Sequence, residues 1–128
     1  MDAERWAEAF RAATDSDAEL GAHGRHYSCT FQLDMERVRV HVTMHRGKVE
    51  RLRLDPPPLE AGCDFGLRAS ADTWRRMAQP VPEPMYHGIF AANAKRDLRF
   101  EGSMLVLMQN LRCVVRHVEL LRETGVPL

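Results

Sequence analysis

Three consecutive segments of this chain alternate between apolar and polar residues, and this alternation limits the possible folds more than any other feature. The segments are residues 27–33, 38–44 and 49–54. A period of two places every second side chain on the same side of an extended strand, so each segment predicts a strand with one buried face. Arg46-Gly47 lies between the second and third segments, and glycine tolerates the positive φ of a tight hairpin. We therefore predict an antiparallel meander of three strands.

Two further strands are predicted after this meander. Asp55 and the three prolines that follow it must end the third strand, because proline cannot donate a hydrogen bond to a sheet. Residues 63–69 alternate again, and residues 98–101 form a short fifth alternating segment that Gly102 closes. The sequence thus predicts five strands in all.

The N-terminal region combines a helical segment with a polar one. Within residues 3–13, Trp6, Ala9, Phe10 and Ala13 recur at three- and four-residue intervals, which is typical of a short amphipathic helix. The following stretch, residues 14–24, is polar, and we expect a loop there that has room for one helical turn.

Three more helices are predicted in the second half of the chain. The first begins after Ser70, a good N-cap, and the second covers residues 85–94 with Pro84 as its first residue. The third is a long final helix that Ser103 caps and Gly125 ends. Its apolar stripe runs through Met104, Leu107, Met108, Leu111, Val114, Val115, Val118 and Leu121.

The order of these elements, with no regular βαβ alternation, favours an α+β fold. We predict a five-stranded, mainly antiparallel sheet with helices packed on one face. A length of 128 residues suits one domain, so we expect a single domain over 1–128, in which 1–24 is the N-terminal helix and loop.

Composition excludes several classes of function. The chain has 18 basic and 18 acidic residues, so no net charge favours nucleic acid, and we expect no nucleic-acid partner. No apolar run reaches the roughly 18 residues that span a bilayer, and the N-terminus lacks a signal-peptide pattern, so we expect a cytoplasmic protein without an integral membrane segment. Three cysteines without CxxC spacing argue against disulfides. The preference for arginine over lysine indicates a GC-rich, bacterial origin.

The residue patterns provide no catalytic or metal site. His41 and His45 share a strand face, but four residues along a strand span about 13 Å, too far for one ion. No nucleophile elbow or phosphate loop is present, so we predict no catalytic residues, no metal and no cofactor. A basic strand face could bind single-stranded nucleic acid, but the aromatic residues fall on the opposite face. That face contains Arg37, Arg39, Arg51, Arg53 and Arg99.

The chain is rich in flexible apolar side chains, with seven methionines. Methionine adapts to variable apolar partners, but it also fills gaps in ordinary cores. Composition alone therefore leaves a ligand pocket and a plain core as alternatives.

Residues 65–74 (FGLRASADTW) and 89–102 (IFAANAKRDLRFEG) resemble the sterol carrier protein-2 family. The similarity runs from about Tyr27 to Leu121. It implies a five-stranded sheet covered by helices, with an apolar tunnel between them for fatty acyl chains, sterols or related molecules. The family often has Gly-Asp before and after the last strand, where this chain has Arg96-Asp97 and Gly102-Ser103.

The resemblance, together with the amphipathic pattern, implies a ligand site between the sheet and the helices that follow it. We predict non-catalytic binding and intracellular carriage of a lipid or other hydrophobic small molecule, whose polar end Tyr86, His87 or an arginine receives. A small isomerase or cyclase and an accessory protein-interaction domain remain alternatives, and a homodimer is left open. The predicted lining residues are Trp74, Met77, Met85, Tyr86, Ile89, Phe90, Phe100, Met104, Leu107, Met108 and Leu111.

Overall fold

A computed structural model describes residues 2–55 and 62–128, so the predicted proline-rich link after Asp55 lies outside the described residues. All five predicted strands are present, with each end within two residues of its predicted position. They form one sheet in the order β3-β2-β1-β4-β5, in which only the β1–β4 pair is parallel. The predicted mainly antiparallel sheet is therefore confirmed. The strands are β1 (Cys29–Asp34), β2 (Arg39–His45), β3 (Lys48–Leu54), β4 (Phe65–Arg68) and β5 (Arg99–Gly102).

Seven α-helices and one 3-10 turn (Gly24–His26) are found in the described parts of the chain. Apolar side chains of the sheet's inner face, including Phe31, Leu33, Val42 and Leu67, are buried with helix residues in one hydrophobic core. The helices are α1 (Ala3–Ser16), α2 (Ala18–His23), α3 (Ala71–Met77), α4 (Ile89–Lys95), α5 (Met104–Gln109), α6 (Leu111–Glu119) and α7 (Leu121–Thr124).

The N-terminal segment is more helical than predicted. α1 extends to Ser16, so the loop expected at 14–24 is wrong at its start, while the helical turn expected within it is present as α2 from Ala18. Thr14 is buried in the core, and the carboxylate of Asp17 accepts a hydrogen bond from the Leu20 N–H at 3.0 Å, which caps α2. α1 is fixed to the sheet because the Val49 N–H donates to the Asp15 carboxylate at 2.8 Å.

The helix predicted from Met85 begins four residues later. Met85 has φ of 72°, which a right-handed helix cannot contain, and Gly88 is the N-cap of α4. Pro84 therefore precedes the helix and is not its first residue. The physical reason is the irregular turn at Met85, which periodicity cannot detect.

The long final helix is divided into α5, α6 and α7. Ser103 caps α5 as predicted, with its Oγ accepting from the Val106 N–H at 3.2 Å. Asn110 has φ of −113° and interrupts the helix, while its side-chain amide donates to the Val106 carbonyl at 2.9 Å. Local side-chain hydrogen bonds of this kind compete with helix continuation. α5 is thus a short helix with its own beginning and end.

The two positions that keep part of the family motif have structural roles. Gly102 has φ of 78°, and a Cβ added there would lie 2.7 Å from the Asp64 carbonyl oxygen, so glycine is required where β5 ends. The Asp97 carboxylate accepts a hydrogen bond from the Thr73 hydroxyl at 2.6 Å, which attaches the turn before β5 to α3. Both residues position β5 and the start of α5.

Candidate functional site

Five of the predicted lining residues are core residues. Trp74, Met77, Tyr86, Ile89 and Leu107 are all buried. The indole N–H of Trp74 also donates to a backbone carbonyl of β1 at 2.8 Å, which fixes α3 against the sheet. These side chains can contact a ligand only if the parts of the protein that cover them move away.

Four other predicted residues are exposed, namely Met85, Phe90, Met104 and Met108, while Phe100 and Leu111 are half-buried. Phe90 is 44% exposed and Met108 51%. The rings of Phe90 and Phe100 pack edge to face with centroids 5.6 Å apart, which joins α4 to β5. We use the name apolar face for the exposed and half-buried apolar side chains of α4, β5 and α5, namely Phe90, Phe100, Met104, Leu105 and Met108.

Leu105 belongs to this face although the sequence did not point to it. It is 68% exposed and lies in the first turn of α5, next to Met104. Its position is 100° around the helix from Met104, outside the stripe expected for a long buried helix. The sequence did not indicate that α5 is short, or that the core covers it only on the side that carries Leu107.

The structure has a small cavity beside Met77, Tyr86 and Ile89. Its volume is about 10 Å³, near that of one water molecule. Val115 and Val118 of α6 close its other side. An acyl chain therefore needs a displacement of the side chains that line this cavity to enter here.

One arginine lines this cavity, and two more lie beside the Tyr86 ring. The guanidinium groups of Arg96 and Arg76 lie 4.8 and 5.7 Å from the centroid of that ring. Arg122 donates to the backbone carbonyl of His87 at 2.6 Å, and it lines the cavity with His87 and Glu119. Arg76 is paired with Asp72 and Glu83, so Arg96 and Arg122 are the cations that accompany the residues predicted for a polar head group.

A buried polar network lies in the other half of the interior, and sequence reasoning missed it. His117 of α6 is 2% exposed; its Nε2 lies 2.9 Å from the Thr14 hydroxyl and its Nδ1 lies 3.0 Å from the Tyr27 hydroxyl. Thr14 donates its own proton to the Phe10 carbonyl at 2.8 Å, so Nε2 must carry the hydrogen and Nδ1 must accept from Tyr27. Burial lowers the pKa of His117 to about 3, which keeps the ring neutral.

Aromatic rings surround this network. The Phe10 ring stacks on His117 at 4.9 Å, and Phe31 meets it edge-on at 5.5 Å. Phe31 in turn stacks on Phe65 of β4 at 5.3 Å. The expectation that Phe31 and Phe65 face the core is confirmed. The sequence did contain a signal for this buried network, because His117 lies between Val114 and Val118 in the apolar stripe of the final helix.

A second polar contact fixes α6 to the N-terminal helices. Arg116 binds the Asp17 carboxylate with two nitrogens, at 2.7 and 3.2 Å. The Arg116 hydrogen bond holds the pKa of Asp17 below its usual value. α1, α2 and α6 are therefore joined by directional interactions as well as by apolar packing.

The described residues contain no helix long and apolar enough to cross a membrane. Within the same ranges, no three His, Cys, Asp or Glu side chains are grouped so that they could hold a metal ion.

Sheet order and covering helices define an α+β fold, and solved structures share it. The chain has the fold of sterol carrier protein 2: a crystal structure of that protein matches with a TM-score of 0.74 and 18% identity, over 93% of this chain and 95% of that one. A conserved hypothetical protein from Thermus thermophilus matches with a TM-score of 0.72 and 18% identity, over 98% and 90% of the two chains.

A ubiquinone synthesis protein, UbiJ-SCP2, is also similar, with a TM-score of 0.60 and 11% identity over 94% of this chain and 91% of that one. No family model matches the sequence, and no curated protein matches it significantly. The fold predicted from the sequence resemblance is confirmed. At these identities the likeness concerns the fold and leaves the ligand to be argued from the site.

Proposed function

We propose that this protein binds a hydrophobic molecule with a polar end, such as a fatty acid, between the sheet and helices α4 and α5, and carries it inside the cell. The observation that supports this most strongly is the apolar face, where flexible and aromatic side chains are exposed on a fold that sterol carrier protein 2 shares. Covering the exposed halves of Phe90, Met104 and Met108 would contribute about 2–4 kcal/mol. Each methylene buried from an acyl chain would add about 0.8 kcal/mol, before association costs.

In this proposal α5 acts as the lid of the site. Ser103 and Asn110 delimit the helix, and Leu107 is its fully buried side chain. When α5 moves outward, Leu107 leaves the core and its volume becomes available to the ligand. The ligand would then occupy the volume of Leu107, with Met104 and Met108 folding over it. The carboxylate end would reach the arginines around Tyr86.

Ligand titration of delipidated protein tests the proposal. A fluorescent fatty acid and a fluorescent sterol are the probes, and we expect saturable binding of at least one. Phe90→Asp should weaken binding by about tenfold or more, because it places a charge in the apolar face. Val81→Asp is the matched control, since Val81 is also exposed but lies outside α4, β5 and α5. If neither probe binds, or if both variants bind alike, the site is not on this face.

The lid is tested by a pair of variants. Leu107→Ala should raise probe affinity, because it removes the side chain that competes with the ligand for space. Val81→Ala, at an exposed position outside α4, β5 and α5, should leave probe affinity unchanged. Equal or lower affinity in Leu107→Ala, with circular dichroism showing a folded protein, would contradict the lid.

Hydrogen exchange provides an independent test of the same motion. We expect the amides of α5 to exchange faster than those of α6, and to become protected when the probe is bound. Protection confined to other elements would mean that the ligand enters elsewhere.

A second candidate function is docking of a partner helix onto the apolar face. The exposure of that face and the small cavity volume favour this reading over an enclosed tunnel. The two functions separate in the titration above, because a docking surface retains neither probe. A homodimer formed through this face would appear as a concentration-dependent mass in ultracentrifugation.

The enzymatic alternative has less support. It requires a His, Tyr or carboxylate with a perturbed pKa that points into the ligand site. His117 has such a pKa, but Thr14 and Tyr27 occupy both of its ring nitrogens. We therefore propose binding without chemical change.

A further inference from the structure

The exposed apolar side chains of α5 lie together on one side of a helix that has no charged residue. Leu105 is 68% exposed, Met108 51% and Met104 43%, and spacings of three and four residues place them on the same side. The buried Leu107 lies on the other side. Soluble monomers seldom expose large apolar side chains in one group, and such groups commonly mark a surface that binds an apolar partner. α5 is therefore a candidate docking surface.

Basic residues predominate in the part of the chain that forms this surface. Residues 89–112 include four basic and two acidic residues, so this stretch has a net charge of +2 in a chain whose net charge is zero. The count includes both carboxylates at full charge, although Asp97 accepts a hydrogen bond from Thr73 and Glu101 pairs with Arg68. The basic residues are Lys95, Arg96, Arg99 and Arg112.

The structure places these cations at both ends of the apolar face. Lys95 ends α4, whose first turn carries Phe90, and Arg96 follows it. Arg112 is exposed in the first turn of α6, four residues beyond Met108. The surface of α5 therefore has a cationic border.

The acidic residue nearest to Arg112 does not cancel this border. Glu19 lines a small hollow together with Arg112, but its carboxylate pairs with Arg116 at 3.1 Å. Arg116 also binds Asp17, so three charges of α2 and α6 are grouped on the side of Arg112 away from α5 along the chain. The cations that border α5 keep their charge for an external partner.

The charges and the exposure of this surface favour one occupant over the others. A second copy of the chain, related by a two-fold axis, would bring the same cations against each other. A partner helix needs a groove, whereas Leu105 and Met108 project into solvent. A lipid bilayer accepts projecting apolar side chains at the level of its head groups, and anionic head groups attract the surrounding Lys and Arg side chains.

Helix α1 does not provide a comparable surface. Its large apolar side chains, Trp6 and Phe10, are buried in the core. Its exposed residues Glu4, Arg5 and Glu8 carry charges of both signs. Insertion of α1 into a bilayer would therefore require it to leave the core, whereas α5 already presents its apolar side chains to the solvent.

We propose that α5 docks this protein on an anionic lipid bilayer, with Met104, Leu105 and Met108 inserted among the head groups. The inference deepens the proposed function and rests on it in one respect, because a lid that opens in the bilayer interface admits a lipid tail without exposing it to water. Docking itself depends only on the side chains of α5 and on the cations around them. Each basic residue near an anionic bilayer contributes about fivefold in affinity, and salt screens this contribution.

Flotation of the native protein with lipid vesicles tests the docking. The probes are vesicles of phosphatidylcholine alone and vesicles that also contain phosphatidylglycerol. We expect binding to the anionic vesicles to be tighter by about tenfold or more, and to weaken as the salt concentration rises. If the protein binds neither kind of vesicle, or binds both equally at low salt, the proposal is overturned.

Aspartate variants test whether α5 is the inserted element. Leu105→Asp should weaken binding to the anionic vesicles by about tenfold or more, because it places a charge among the inserted side chains. Val81→Asp is the matched control, since Val81 is 84% exposed and lies outside α4, β5 and α5. Native binding by Leu105→Asp, or an equal loss in Val81→Asp, would refute docking through α5. Met108→Asp replaces Leu105→Asp if circular dichroism shows the latter to be unfolded.

A pair of double variants tests the cationic border at equal change of net charge. Lys95→Gln with Arg112→Gln should weaken binding to anionic vesicles by about tenfold or more. Arg5→Gln with Arg25→Gln is the control, because α1 packs on β3 and Arg25 lies next to the turn before β3, at the sheet edge opposite β5. Equal losses in the two double variants would mean that general surface charge holds the protein on the vesicles.

The titration with the fluorescent fatty acid and sterol, without vesicles, separates a failure of docking from a failure of the proposed function. A protein that binds a probe but no vesicles refutes docking and retains the proposed carrier function. A protein that binds anionic vesicles through α5 but neither probe retains docking and loses the carrier function.

Discussion

Acid should destabilise this protein through the buried imidazole of His117. The unfolded chain protonates a histidine near pH 6.5, whereas burial lowers the pKa of His117 in the folded protein to about 3. The folded state thus binds fewer protons than the unfolded state between these values. Stability is complete above pH 6.5 and decreases as the pH falls toward 3.

The expected loss follows from the size of this pKa difference. Each pH unit well inside the window costs about 1.4 kcal/mol, and the unfolded histidine is already half protonated at pH 6.5, so the free energy of unfolding should decrease by about 2.3 kcal/mol between pH 6.5 and pH 4.5. Urea unfolding at several pH values measures it, with the fluorescence of the buried Trp6 and Trp74 as the signal. Carboxylates are mostly ionised above about pH 5, so the histidines dominate the slope in the upper part of this range.

The variant His117→Gln distinguishes the contribution of His117 to the pH dependence from that of the other titratable residues. The glutamine amide can donate to Thr14 and accept from Tyr27, but it does not titrate, so most of the pH dependence should disappear while the protein remains folded. His45→Gln, at an exposed histidine of β2, should keep the native slope. A native slope below about 0.5 kcal/mol per pH unit, or an unchanged slope in His117→Gln, would refute the reasoning.

Three further predictions concern stability measured by thermal or urea unfolding. Gly102→Ala should cost about 1–3 kcal/mol, because φ is positive there and the added Cβ would lie 2.7 Å from the Asp64 carbonyl oxygen. Gly21→Ala should stabilise the protein by about 0.5–1 kcal/mol, because Gly21 lies in α2 with open space around it. Equal effects of the two variants would contradict the backbone argument. Asp17→Ala should cost about 2–4 kcal/mol, because it removes the cap of α2 and the ion pair with Arg116. Asp72→Ala removes an exposed ion pair with Arg76 and should cost less than about 0.5 kcal/mol. Ser103→Ala should cost about 1 kcal/mol, and no loss would mean that α5 is not capped.

The strands could be predicted from the sequence because a period of two is a local signal. The alternation at residues 27–33 and 38–44 depends on neighbouring residues alone, and the structure has strands there within two residues. The parallel pairing of β1 with β4 was not predictable in this way, since it joins residues such as Phe31 and Phe65 across a long connection. The resemblance to a known family provided the overall architecture, whereas periodicity provided the elements.

The site was predicted less well, because amphipathic periodicity identifies an apolar stripe but not what covers it. Leu107 and Met108 are neighbours in the same predicted stripe, yet Leu107 is buried and Met108 is half exposed. α5 also ends directly after Met108 and Gln109, at Asn110, whose side-chain amide bonds back to the Val106 carbonyl. In the sequence, a single polar residue within a helical pattern does not indicate that the helix ends there.

The two halves of the interior differ in how they are held, and this difference locates the region that can open. Around His117, hydrogen bonds and stacked rings connect α1, α6 and the sheet, so separating these elements would leave polar groups unsatisfied at a cost of about 1–3 kcal/mol each. α5 has one fully buried side chain, Leu107, and the half-buried Val106 also packs against the core, so moving the helix costs about 2–4 kcal/mol of apolar burial. An entering acyl chain offsets that cost with about three to five methylenes. A ligand is therefore expected to displace α5 and to leave the His117 network intact.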